Sequence, residues 1–434
     1  MSKKEKYEPV LYIYSDRSIL VNEDGVEYKF KEGKTSEEAK KRLALIKKAL
    51  NDGFLEQIIS ECQNPEVKIE NISEEQVKTI ESLVSSVTSE VGRAIVGLTI
   101  LQLTVKAILP EKSIRLHKGG SGTRDFSWTE GIPMRNLDTN FITPVLRKYD
   151  LLKINKFGFM MTRTLAENYP YSKLYKAGIR GARKEWLEIT DDVENGDLDS
   201  LNALKQLIVF LISKSEAFEL LTAKAFEDLN LFFKRNPSFD YCLDIISNFI
   251  NKSTYSARVF EVSLHSFFQV LAEEKQLEGF LKPLSQMRSA NKKHGNIGDI
   301  EITESDGDMD IIEAWDAKFG KTYLREELEE LNDKLKFHPQ TTIAGFVTDQ
   351  KPNLKDEIVE RMSEIEEVHD TEIYILEFRE WVIYQVETYN LDTTTIGNKW
   401  LIAIAESICQ KRREIAPIDE PTSEWVETFI SCLK

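Results

Sequence analysis

Between residues 255 and 378 the hydrophobic pattern switches repeatedly between the period of a helix and the period of a strand, and no other feature narrows the fold as far. Residues 256–273 carry Phe260, Leu264, Phe267 and Leu271 on one helical face. Arg258, Glu261, His265 and Gln269 fall together on another. A helix with flanks this apolar is expected to be buried on most sides, so its polar stripe needs partners, and His265 is read as one hydrogen-bonded member of it. Two strands follow, 299–302 and 311–318, separated by a turn at 304–308. Then come a helix over 323–336, an apolar strand over 341–347, a helix over 354–368 and a strand over 373–378. Such alternation predicts a mixed sheet flanked by helices, within a mixed α/β, α-rich chain.

The rest of the chain is read more coarsely. Strands are expected at 10–14 and 26–30 around a turn at Glu23-Asp24-Gly25, then helices at 40–50 and 75–109. Residues 201–248 read as a helical layer broken at Asn236-Pro237. Three regions result: 1–115, of unassigned role; 116–195, a basic module; and 196–434, the helical layer with an α/β core at 255–385.

Charge is unevenly spread. The 434 residues carry a formal net charge of −16, which taken alone argues against a nucleic-acid partner. Residues 101–190, however, hold 16 Lys or Arg against 8 Asp or Glu, and residues 282–293 hold Lys282, Arg288, Lys292 and Lys293 with no acid. Both stretches are candidate phosphate-facing surfaces. The positions assigned to DNA are Arg124, Arg135, Arg147, Lys148, Lys153, Lys156 and Arg163 in the first, and Arg288, Lys292 and Lys293 in the second. Arginine offers a fork that reads guanine edges, whereas lysine mostly neutralises phosphate.

Within the basic window a short helix over 139–149 runs into Leu151-Leu152-Lys153-Ile154-Asn155, a turn at Lys156-Phe157-Gly158, and a second strand over 159–163. Helix, strand, glycine turn and strand in this order resemble a winged-helix unit, and that resemblance implies a DNA-reading role with a hairpin wing along the backbone.

Asp316 and Lys318 share one face of the second strand, and Glu313, Trp315 and Ala317 the other. With Asp299 on the neighbouring strand, the ends of the sheet carry two carboxylates and an ammonium. Gly298-Asp299, then Asp316-Ala317-Lys318 on an apolar strand, behind a helix bearing Glu261, resemble the PD-(D/E)XK nuclease superfamily, whose best-known members are restriction endonucleases. Gly298 stands where that signature has proline. The resemblance implies a type II restriction-like, sequence-specific endonuclease that acts on double-stranded DNA and leaves 5′-phosphate ends. Another DNA defence or repair nuclease of the same superfamily, or a non-catalytic DNA-binding regulator, are the alternatives.

The chemistry agrees. Phosphodiester hydrolysis needs a nucleophile at neutral pH and a counter-charge for the transition state, and a divalent ion supplies both. Mg²⁺ prefers a few carboxylate oxygens and keeps several waters, which suits Asp299 and Asp316, with Glu261 as third ligand and Glu313 as second choice. Lys318 is placed to orient the attacking water or to offset developing negative charge. Cutting both strands takes two such sites, so a homodimer is expected. No Gly-x-Gly-x-x-Gly, Walker lysine or HExxH pattern is present, and no nucleotide cofactor is expected.

The longest nearly uncharged run, 94–105, is closed by Arg93 and Lys106 and falls short of the ~20 residues of a spanning helix. No apolar h-region follows Met1, and Cys62, Cys242, Cys409 and Cys432 are widely spaced. A cytoplasmic protein with reduced thiols and no membrane partner is expected.

Overall fold

The computed structural model describes residues 7–87, 90–118, 127–159, 169–285, 295–307, 310–412 and 420–434. The chain divides into two compact units, 1–217 and 218–434. The boundaries expected at 115/116 and 195/196 are not contact boundaries, because one continuous apolar core runs from Ile46 to Leu211.

The first unit opens with an antiparallel meander, β1 (Val10–Ile13), β2 (Arg17–Val21) and β3 (Glu27–Lys31). Tyr12 lies opposite Ile19, and Ile19 opposite Lys29. Helices α1 (Glu37–Asn51), α2 (Phe54–Cys62), α3 (Glu74–Ser85) and α4 (Glu90–Ile108) follow. The Ser36 hydroxyl caps α1 by accepting from the Ala39 amide at 3.0 Å. The single helix expected over 75–109 is thus two. Residues 91–108 of α4 are long and apolar enough to cross a membrane by length and composition, but 72% of that window is buried, as in a core helix.

Further on, α5 (Met134–Leu137), a π-helical turn (Asp138–Ile142) and α6 (Thr143–Lys148) form one continuous helical stretch. The strand expected at 151–155 does not form. Asp150 takes a left-handed φ of 52°, and Leu151, Leu152 and Ile154 are buried as irregular backbone. The amide of Phe159, which a hairpin would need, instead donates to the buried Asp138 carboxylate at 2.8 Å. The wing's second strand, beyond Phe159, lies outside the described residues, as do Arg124, Arg163, Arg288, Lys292 and Lys293. Helix α7 (Arg183–Asn195) packs on α3 and α4, and α8 (Ser200–Phe233) carries the chain across the division at 217.

The second unit is a mixed five-stranded sheet between two helical layers. Its elements run α9 (Phe239–Lys252), α10 (Ser256–Glu273), β4 (Phe280–Leu281), β5 (Ile300–Thr303), β6 (Ile311–Lys318), α11 (Arg325–Leu335), β7 (Ile343–Thr348), α12 (Asp356–His369), β8 (Glu372–Glu377), α13 (Phe378–Thr388), α14 (Ile396–Ile408) and α15 (Thr422–Leu433). Spatial order follows chain order: β4, β5 and β6 are antiparallel, while β6, β7 and β8 are parallel, joined through α11 and α12. Parallel neighbours require such crossovers.

Alternation along β6 decides what each face carries. Trp315 enters the core shared with Phe260, Phe267, Trp381 and Trp400. Ala314 enters the smaller core built with Leu328 and Leu331 of α11 and Ile358 and Ile365 of α12. Gly345 of β7 lies opposite Trp315, and a Cβ there would collide with the indole ring. Asp316 and Lys318 therefore emerge on the α11 side, at the carboxyl end of β6, where ligands of open α/β sheets bind.

Candidate active site

The turn before β5 is clamped from both sides. Buried Glu301 accepts hydrogen bonds from the amides of Ile297 (2.5 Å) and Gly298 (3.2 Å), and its other oxygen pairs with Lys282 Nζ at 3.0 Å. From α11, Lys334 Nζ donates to the Ile297 carbonyl at 2.9 Å. Gly298 runs against β6 so closely that a Cβ would meet the Trp315 carbonyl oxygen at 2.6 Å. That close approach leaves no room at 298 for a proline ring or for any other side chain.

Asp299 is consequently bonded to β6 through both its backbone and its side chain. Its amide donates to the Trp315 carbonyl at 3.0 Å, and its Oδ2 accepts from the Ala317 amide at 3.1 Å. The Asp299 carboxyl lies close enough to Asp316 for the negative charge there to act on it. Burial, then the charges of Glu261 and Asp316, hold the Asp299 carboxyl well above the ordinary carboxylate range, with Lys318 pulling the other way. Lys318 Nζ lies 2.7 Å from Asp316 Oδ2. Burial works against the Lys318 charge, but Asp316, Asp299 and Glu327 outweigh it and leave the ammonium favoured.

Glu261 reaches the group from α10. It pairs with the buried Arg258, whose guanidinium also bonds Glu420 at 2.9 Å and the carbonyl of Ser285. The polar stripe of α10 thus finds its partners: His265 Nε2 meets the Lys282 carbonyl at 2.9 Å, and Gln269 accepts from Ser407 at 3.0 Å. Glu313 faces away, where its carboxylate accepts from Trp315 Nε1 (2.6 Å) and Tyr389 OH (3.3 Å), and burial raises its pKa.

The structure thus brings Glu261, Asp299, Asp316 and Lys318 together, with Glu313 on the opposite face. Among the described residues no set of three His, Cys, Asp or Glu side chains closes on one point as a metal cage. Two carboxylates brought near one another in this way, with Lys318 beside them, fit a hard ion that retains most of its water. Of the residues assigned to DNA and described, all belong to the other unit; Arg135, Arg147, Lys148 and Lys156 are exposed there, while Lys153 pairs with Asp150 at 2.6 Å.

Glu301, Lys334, Glu327 and Glu420 support the site without a signal in the sequence. Glu301 follows Asp299 at strand spacing, the one hint that both belong to the same edge. All four cysteines are free and buried, and burial pushes the Cys62 and Cys242 thiols up to about 11. No protein-family model matches the chain, and no curated protein matches it as a relative.

Proposed function

We propose that the chain is a cytoplasmic Mg²⁺-dependent DNA endonuclease of the PD-(D/E)XK kind, related in chemistry to type II restriction enzymes and working as a homodimer on double-stranded DNA. The observation that carries this reading is the anchoring of Asp299 on β6, its amide on the Trp315 carbonyl and its carboxylate on the Ala317 amide, which sets it beside Asp316 and the Lys318 ammonium. An isolated buried pair of this kind is costly. A divalent ion held there would offset that cost.

Asp299 and Asp316 would hold the ion, with Glu261 adding negative charge from α10. Bound there, Mg²⁺ supplies a water of lowered pKa and a counter-charge for the phosphoryl oxygens. Lys318, paired with Asp316, would orient an attacking water against the scissile phosphate and offset the negative charge that develops there. The 3′ oxygen leaves as a hydroxyl and the phosphate remains on the 5′ end. Glu301 and Lys334 keep the Asp299 turn from drifting off β6.

The test is plasmid cleavage in Mg²⁺ by the wild type, Asp316→Ala and Lys318→Ala. Losing Lys318 is expected to slow cutting by at least about a hundredfold. A wild type that never cuts, or variants that cut as fast, would remove the assignment. Discrete fragments indicate sequence specificity, and a smear indicates a nonspecific nuclease.

A further inference from the structure

We propose that the exposed face of the helical stretch 134–148 is a double-stranded DNA reading surface, in which Asn136 and Asn140 contact base edges while Arg147 and Lys148 hold the backbone. The inference rests on the reading that the protein acts on DNA, and adds the element and residues that recognise it.

Three observations carry it. The π-helical turn at 138–142 sends Leu137, Asp138 and Ile142 into the core and leaves Thr139 and Asn140 outward. As a result Arg135, Asn136, Asn140, Arg147 and Lys148 are all exposed along one stretch of 15 residues, about 22 Å long at 1.5 Å per residue. Its single acid, Asp138, is buried and engaged by the Thr143 hydroxyl and the Phe159 amide. In a chain of net charge −16, an acid-free face of this length is complementary to a polyanion.

The second observation is chemical. Arginine and lysine alone would fit any anionic surface, but asparagine presents a paired donor and acceptor suited to an adenine edge in the major groove. Asn140 spends one amide hydrogen on the Asn136 carbonyl at 2.8 Å, which fixes its plane and leaves its oxygen and second hydrogen outward. The major groove of B-form DNA admits a helix, whereas the deep, narrow groove of double-stranded RNA does not.

Thirdly, the neighbouring turn is held rigid. Thr139 Oγ1 donates to the Phe157 carbonyl at 3.1 Å, Gly158 takes a φ of 98°, and a Cβ on Gly158 would strike the Asp138 carboxylate. Lys156 and the 62%-exposed Phe157 are thereby presented beside the helix. A lysine and an aromatic ring placed there suit a sugar-phosphate strand running past the groove.

The experiment measures binding of the full chain to random-sequence DNA duplexes without divalent ions, and repeats in vitro selection from the same pool. Arg147→Ala with Lys148→Ala should weaken binding to every duplex by about tenfold or more at low salt and reduce the slope of log affinity against log salt by about 2. Asn136→Ala and Asn140→Ala should leave affinity for the unselected pool unchanged, yet erase a base preference selected by the wild type, worth about tenfold at each position. Unchanged binding in the double variant, or an unchanged selected sequence in both asparagine variants, would overturn the proposal. So would equal retention of double-stranded RNA or of anionic phospholipid vesicles. The wild type is also assayed for plasmid cleavage in Mg²⁺, because a wild type that binds selectively but never cuts refutes the nuclease reading alone.

Discussion

The amide of Asp299 and the carbonyl of Trp315 are 3.0 Å apart, and the preceding residue, Gly298, has no room for a side chain against that same carbonyl. The height of Asp299 beside Asp316 is therefore set by backbone contact rather than by side-chain choice. Gly298→Ala is expected to destabilise the second unit by about 1–3 kcal/mol, the usual cost of overpacking. Gly298→Pro should cost more, since it also removes the amide that donates to Glu301. Urea midpoints of the two variants check the order; a proline variant as stable as the wild type would show that the turn relaxes freely.

Stability should depend on pH through Asp299. Its folded pKa lies above the ordinary value of about 4, so the folded state takes up a proton that the unfolded state has released. Stability is then greatest below the ordinary value and is lost as pH rises towards the folded pKa. In EDTA, Asp299→Asn should raise the melting temperature of the second unit at pH 8 by at least about 2 °C, the shift expected from 1 kcal/mol in a unit of this size. Mg²⁺ should stabilise the wild type at that pH and leave the variant unmoved. Calorimetry at pH 5 and pH 8 separates these outcomes.

Arg258 joins Glu261 to Glu420 in a buried triad. Removing the cation takes from both acids the guanidinium they share, and Arg258→Met is expected to cost about 3–5 kcal/mol. Adding Glu261→Gln and Glu420→Gln to it should recover most of that loss, because the burden lies in buried charge that has lost its arginine and not in packing. Chemical denaturation of the single and triple variants tests the point, and a triple variant no more stable than Arg258→Met would refute it.

Glu301 should act on Asp299 at a distance. Glu301→Gln keeps the size of the side chain but drops the charge that pairs with Lys282 and that draws in the Ile297 and Gly298 amides. The expected loss is about 1.5–3 kcal/mol, the range for hydrogen bonds to a charged group. If the nuclease reading holds, the maximal cleavage rate should fall while duplex binding stays unchanged; weaker binding at an unchanged rate would contradict a positioning role.

Much of the second unit was legible because its sequence obeys one rule at a time. The apolar alternation of β6 placed Asp316 and Lys318 together and turned Glu313 away, and the polar stripe of α10 announced that buried partners must exist. Which partners these were could not be read: Glu420 is 162 residues from Arg258, and nothing local links them. The strand expected at 151–155 failed for a comparable reason. Leu151, Leu152 and Ile154 have strand-like composition, yet a carboxylate 21 residues from Phe159 claims the amide a hairpin would have paired. Short elements such as α2 and β2 lacked the length over which a period shows itself.

The packing of Trp315 over Gly345 has a consequence for descent. The indole fills the volume a side chain on β7 would need, so the sheet can accept a larger residue at 345 only after losing the tryptophan, and a smaller one at 315 opens a void beneath Tyr374 and Trp381. Either change alone passes through an impaired intermediate. The two positions are expected to be inherited as a single character, and a lineage that escapes it must do so by a paired replacement that leaves Asp316 where it stands.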